Sequence, residues 1–241
     1  GMLGHEVTRR LGDCGHYRVV VVDLCLPSAA RVLEAVEAYH VADLARSEEL
    51  DSIFAGAAAV VHTAGLVDLT ADTARTWNAH CVATARVMDA AERQGVRAVV
   101  LTSSIGAVTS PYVTHPQMDL PADYLPPGHD STFPHHSSYG ATKLQAEQSA
   151  LRRHMPGRLG VCALRMPMIF GIDDPLVVAP LLSGALDRVP DMPGPPLVEF
   201  CYVENAAAAH VAALAALISE EEEKEEEVAT SSCRPRVGGR A

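Results

Sequence analysis

Tyr139 and Lys143 stand four residues apart in the run Tyr139-Gly140-Ala141-Thr142-Lys143, at the head of a stretch with helical apolar spacing. On a helix that spacing projects both side chains from one face. A lysine ammonium beside a phenol favours the phenolate. Bringing a tyrosine from its ordinary pKa of about 10 to near 7 takes about 4 kcal/mol of differential stabilisation, which a cation in a partly dry site can supply. Such a phenol serves as a general base or acid at neutral pH. A Tyr-x-x-x-Lys spacing also arises by chance on exposed helices, so it needs support from elsewhere. Upstream, the apolar run Val99-Val100-Leu101 leads into Thr102-Ser103-Ser104. This places hydroxyls at the carboxyl end of a strand, the edge where ligands bind in open α/β sheets. A serine there hydrogen-bonds a substrate oxygen; the plainer alternative is that Ser103 and Ser104 satisfy backbone groups at a turn.

A third group opens the chain. Gly1-Met2-Leu3-Gly4 runs into an amphipathic segment, and 19 residues after Gly4 comes Asp23, at the end of a valine run. The pattern resembles the last two glycines of a dinucleotide fingerprint with its ribose-binding acid. Glycines let a backbone approach a pyrophosphate at a helix N-terminus, and the Asp23 carboxylate would accept hydrogen bonds from a ribose diol. An acid there repels a 2′-phosphate and so favours NAD over NADP. A turn with two glycines and an ordinary strand-end aspartate is the bland alternative.

These groups need a scaffold, and the sequence describes one. As far as residue 169, short β-branched runs alternate with longer helical patterns, the rhythm of a parallel sheet covered by helices on both faces. Strands are predicted at 18–23, weakly at 40–43, and at 58–62, 98–102 and 160–164. Helices are predicted at 47–54, 73–94 and 139–153, where apolar residues recur at i, i+3 and i+4. The fold class is therefore α/β, a doubly wound parallel sheet with right-handed connections. Residues 106–138 are rich in Pro, His, Asp and Ser and form a long loop of the kind that walls an active site. After Gly171 come proline-punctuated segments, a strand-like run at 197–203 and a helix at 204–218. Residues 1–170 are thus expected to form a nucleotide-binding domain, and 171–218 a partial substrate-binding region too small to stand alone. Residues 219–241, with a glutamate run at 220–227, are expected to be disordered and solvating.

With 241 residues the chain can hold one α/β domain and a small appendage. A composition 48% hydrophobic and 20% charged places it among globular chains. A formal charge of −11 excludes a phosphate-backbone partner such as nucleic acid, which needs clustered Lys and Arg. The six cysteines, Cys14, Cys25, Cys81, Cys162, Cys201 and Cys233, show no paired spacing and fit reduced thiols outside the secretory route. Neither a signal peptide nor a membrane span is visible, so the chain as written is expected in the cytoplasm. His135-His136 lack companions at zinc-like spacing, and no metal is expected.

Taken together, these stretches resemble the extended short-chain dehydrogenases, and within them the 3β-hydroxysteroid dehydrogenase/isomerase group. The resemblance is carried by Gly1 to Gly4, Val22-Asp23, Ala42-Asp43-Leu44, Val60-Val61-His62-Thr63-Ala64-Gly65-Leu66-Val67-Asp68, Leu101 to Ile105 and Tyr139 to Lys143. It continues through Ala163-Leu164-Arg165, Pro167, Ile169-Phe170-Gly171, and Tyr202-Val203 with Asn205 and His210. The His-Thr-Ala-Gly-Leu-Val-Asp run is the most group-specific, and the match covers most of residues 1–218. It implies a Rossmann-like fold, NAD as cofactor, and a hydrophobic alcohol or ketone, a sterol or steroid, as substrate. Tyr139 would be the general base or acid, Lys143 would lower its pKa and bind the nicotinamide ribose, and Ser104 would orient the reacting oxygen. Gly1, Gly4 and Asp23 would hold the cofactor, Asp43 and Leu44 would sit near the adenine, and Ala64 and Gly65 would line the site. The group's isomerase step has no residue assigned to it. Full-length relatives associate with endoplasmic reticulum or mitochondrial membranes, and homodimerisation is compatible with the group.

Two departures stand out. The group opens with a strand and a first glycine, whereas Gly1 here aligns with the second glycine. That strand is central in a doubly wound sheet, and five buried aliphatic side chains at about 1.5–3 kcal/mol each are comparable with a domain's whole net stability of about 5–15 kcal/mol. On the helix after His62 the group usually has Asn where this sequence has His80. That histidine either donates a hydrogen bond in the site or is a structural wedge. The rival functions are a catalytically impaired binding module and, on the same fold, a nucleotide-sugar or flavonoid-type reductase or epimerase, for which Arg165 remains a candidate contact.

Overall fold

The structure is a computed structural model and describes residues 1–67, 73–108, 121, 124, 138–172, 174, 178, 182–184 and 199–232. Helix α1 (Met2–Asp13) leads to β1 (Val19–Asp23), a short 3-10 turn and β2 (Val36–Val41); α2 (Leu50–Phe54) and β3 (Ala59–His62) follow. Next comes α3 (Thr73–Trp77), which passes through a π-helical turn (Asn78–Val82) directly into α4 (Ala83–Arg93), and then β4 (Ala98–Ser104). Helix α5 (Ser138–Leu151), β5 (Gly160–Met166), β6 (Met168–Phe170), β7 (Phe200–Tyr202) and α6 (Val203–Ser232) follow. The ladders among the described residues are parallel: β2 with β1, β3 and β5 on either side of β4, and β6 with β7.

The period-2 alternation of β4 shows how the layers form. Val99 and Leu101 face one cluster, shared with Leu50 and Phe54 of α2, Val87, Met88 and Ala91 of α4 and Ala150 of α5. Ala98 and Val100 face the other, shared with Val7 and Leu11 of α1 and Ala207, Leu214 and Leu217 of α6. Both faces of β4 are covered, which is why it reads as an unbroken apolar run. At the end of α4, Gly95 takes a positive φ of 70° and turns the chain back toward β4.

The sheet is built in sections. Val19 and Val21 of β1 share an apolar cluster with Ala59 and Val61 of β3, yet no ladder joins β1 to β3 among the described residues. Val20, which alternates with Val19 and Val21 along β1, is 43% exposed.

Three elements differ from their sequence expectations. The second strand lies at Val36–Val41, ahead of the expected 40–43, so Asp43 falls just beyond its end. The helix expected at 204–218 runs on to Ser232, through the glutamate stretch where disorder was expected from 219. Glutamate and alanine are among the better helix formers, and this helix is already nucleated by its buried first half. The π-turn inside the expected 73–94 helix has no periodicity signature. Residues 233–241, most of the long loop and His135-His136 lie outside the described residues. No helix among the described residues is long and apolar enough to cross a membrane.

Candidate active site

Ser104 ends β4, and its hydroxyl accepts a hydrogen bond from the Gly106 amide at 3.1 Å, capping the 3-10 turn Ile105–Ala107. Tyr139, in the first turn of α5, is hydrogen-bonded to that same Ser104 hydroxyl. One turn further along α5, Lys143 is 7% exposed, and its ammonium donates to the Thr102 carbonyl at 3.0 Å. A methyl group placed on Gly65 would lie 3.2 Å from that ammonium and 3.5 Å from the His80 ring. Tyr139, Ser104, Lys143 and Gly65 therefore lie together at the carboxyl edge of the sheet.

The electrostatics of this group depart from the sequence expectation. Burial raises the Tyr139 pKa above the usual phenol range, and the opposing influence is the Ser104 hydrogen bond. Lys143 spends its hydrogen bond on Thr102, on the Gly65 side, and burial pulls its own pKa down to about 8. The expected drop of Tyr139 toward neutrality under Lys143 is thus corrected: desolvation outweighs the cation in the cofactor-free protein. The ammonium is felt instead by two buried histidines. Burial, then Lys143, holds His80 down to about 4 and His62 down to about 3.

The second group gathers where α1 begins. The Gly1 nitrogen lies 3.4 Å from an Asp23 carboxylate oxygen, and that side chain is 47% exposed. The Ala42 amide donates to the Asp23 carbonyl at 2.9 Å, which brings Asp43 to the same edge. Asp43 itself caps the following turn by accepting from the Ala45 amide at 2.9 Å. Leu44 packs its side chain into the core beside α2 and α4. Gly4 connects the two groups, because a methyl there would sit 2.8 Å from the Thr63 hydroxyl, immediately before Ala64 and Gly65. A half-exposed acid and two glycines without room for a side chain are residue types compatible with a dinucleotide at this edge.

Several residues that support this site were not assigned roles from sequence. His210, fully buried on α6, donates from Nδ1 to the Ala206 carbonyl at 2.7 Å, so its Nε2 accepts from the Thr102 hydroxyl at 2.8 Å. It thereby fixes the residue that anchors Lys143. Glu147, one turn past Lys143, accepts from Ser103 at 2.5 Å and from Arg165 through both oxygens, at 2.6–3.1 Å. Arg165 also donates to the Tyr124 carbonyl at 2.8 Å, tethering the long loop. The signal for Glu147 was present in the spacing 139, 143, 147, which puts a carboxylate on the same buried helix face.

Among solved structures the chain is similar to MoeE5 in complex with UDP-glucose and NAD (TM-score 0.68, 24% identity, covering 89% of this chain and 69% of that one). It is also similar to a UDP-galactose 4-epimerase (TM-score 0.62, 26% identity, 88% and 68% covered). The fold is accordingly the Rossmann-like α/β fold of the extended short-chain dehydrogenases. The sequence matches the 3-beta hydroxysteroid dehydrogenase/isomerase family over residues 1–232, and the chain belongs to that family. An Arabidopsis thaliana protein named 3beta-hydroxysteroid-dehydrogenase/decarboxylase isoform 2 is 30% identical over 180 residues, 73% of this chain and 30% of that protein. The Schizosaccharomyces pombe sterol-4-alpha-carboxylate 3-dehydrogenase erg26, decarboxylating, is 27% identical over 222 residues, 88% of this chain and 62% of that protein. The chain thus spans less than two thirds of the curated relatives it matches.

Proposed function

We propose that this chain carries the catalytic site of an NAD-dependent dehydrogenase acting on a secondary alcohol of a hydrophobic, sterol-like substrate. The observation that supports it most is the grouping of Tyr139, Ser104 and Lys143 beside Gly65. Gly1, Gly4 and Asp23 would hold the adenosine and pyrophosphate end of NAD, and Ala64, Gly65 and Lys143 the nicotinamide end. NAD, when bound, supplies the acceptor for a hydride from the substrate carbinol carbon. Ser104 holds the substrate oxygen, and Tyr139 takes its proton. Because burial keeps that phenol protonated in the resting protein, oxidation is expected to speed up as pH rises above neutral. Sterol-like chemistry is suggested by the two relatives named above and by local polarity. β5 ends at Met166, paired with Ser104, and beyond it Met168 and its ladder partner Phe200 both present apolar surface.

Nucleotide-sugar chemistry is the second reading, favoured by the solved relatives. Arg165, the basic residue that would suit a diphosphate, is committed to Glu147 and to the Tyr124 carbonyl, which weighs against it. The test is Tyr139→Phe. Turnover of a 3β-hydroxysterol should fall about 100-fold or more, the range for removing a general acid–base group. NAD binding by calorimetry should stay within a few-fold of the parent. Unchanged turnover would overturn the reading, and absence of an NAD-induced thermal shift in the parent chain would point to a non-catalytic module.

A further inference from the structure

His80 occupies the π-turn between α3 and α4, buried among three parts of the site. Its Nδ1 lies 2.8 Å from the Thr142 hydroxyl. Its Nε2 lies 3.2 Å from the Leu66 amide and 3.0 Å from the Leu66 carbonyl. Its ring meets that of Tyr139 edge-on, with centroids 5.3 Å apart and planes at 83°. We propose that His80 is a positioning residue which, as a single neutral tautomer with its proton on Nδ1, ties the Gly65–Leu66 segment to the Tyr139 helix.

The tautomer follows from counting protons. The Thr142 hydroxyl donates its one hydrogen to the Tyr139 carbonyl at 3.0 Å, so toward His80 it accepts, and Nδ1 must donate. Nε2 then carries a lone pair, and the Leu66 amide supplies the hydrogen for it. The other tautomer would satisfy the Leu66 carbonyl. It would leave the part-buried Leu66 N–H without His80, and an orphaned amide costs more than a carbonyl with spare lone pairs. A second ring proton is opposed by the Lys143 ammonium beside Gly65 and by burial. The result is a relay of hydrogen bonds from the Leu66 amide through imidazole and Thr142 to the backbone of Tyr139. The π-turn is what swings position 80 into this bridge, since a regular helix would carry it round by 100° per residue instead.

The kinetic part of this inference rests on the dehydrogenase reading; the tautomer does not. In the cofactor-free protein at pH 7, nitrogen-15 NMR of the histidine rings, with His80 assigned by its loss in His80→Asn, should show a protonated Nδ1 and a bare Nε2. A protonated Nε2, or an averaged mixture, would overturn the proposal. Replacement then separates the two ends. A glutamine amide reaches the Nε2 position and keeps the Leu66 bond, while an asparagine amide reaches the Nδ1 position and keeps the Thr142 bond. His80→Gln should retain NAD affinity within about threefold and lose about tenfold in kcat, and His80→Asn should do the reverse, one hydrogen bond being about a factor of ten. Equal losses of both quantities in both variants would mark His80 as mere packing and overturn the proposal. Should the parent show neither turnover nor NAD binding, the dehydrogenase reading fails, and the NMR result alone decides on His80.

Discussion

Removing either partner of the Glu147–Arg165 pair should cost far more than removing both. Glu147 is 1% exposed and the Arg165 side chain 17%, with Ser103 donating to the same carboxylate. In Glu147→Leu the guanidinium loses a carboxylate that it grips at 2.6 to 3.1 Å. Breaking one side of a buried pair costs about 3–5 kcal/mol, whereas replacing both by apolar groups is often neutral. For a chain of this size about 1 kcal/mol moves the melting midpoint by about 2–4 °C, so the single variant should melt roughly 10 °C lower. Arg165→Met should lose a similar amount. The double variant Glu147→Leu/Arg165→Met should recover most of the loss. Urea unfolding followed by circular dichroism measures all three, and simple additivity, or single losses under about 1 kcal/mol, would refute the reasoning.

Acid should unfold the protein early. His62 and His80 have folded pKa values near 3 and 4, well below their unfolded value; between pH 6.5 and 4 the unfolded chain takes up protons that the folded one refuses, so stability falls by several kcal/mol as pH drops. A flat urea midpoint across that window would contradict it. Gly65→Ala should weaken NAD binding about tenfold while shifting the melting midpoint little, because its methyl meets the flexible end of Lys143 at 3.2 Å; calorimetry and a thermal melt read the two effects separately. Gly171→Ala should instead cost about 1–3 kcal/mol of stability, since its methyl would fall 2.5 Å from Cγ1 of the β-branched Val203, and equal midpoints for mutant and parent would argue against this.

What the sequence could and could not disclose divides along physical lines. Strand β4 and helix α5 were legible because burial on both faces and a helical period write themselves into consecutive residues. With those two elements placed, helical spacing sets Tyr139 and Lys143 on one face, and the family resemblance is what joined Ser104 to them. The direction of the Tyr139 shift was not legible, since it depends on how much water the folded chain removes from around the phenol. The anchoring of Lys143 on the Thr102 carbonyl, and of Thr102 on His210, joins residues 108 positions apart, which no local pattern encodes. His80 was visible as a departure from the family pattern, but its partners Leu66 and Thr142 come from two other elements. Charge density over 220–227 suggests solvation, whereas helix propensity and an existing nucleus carry α6 on to Ser232.

The place of β4 has a consequence for how the molecule breathes. It pairs with β3 on one side and β5 on the other, and helices cover both of its faces. Its amides cannot open without disrupting both ladders and both apolar clusters, so Val99 to Leu101 should exchange with deuterium only on global unfolding.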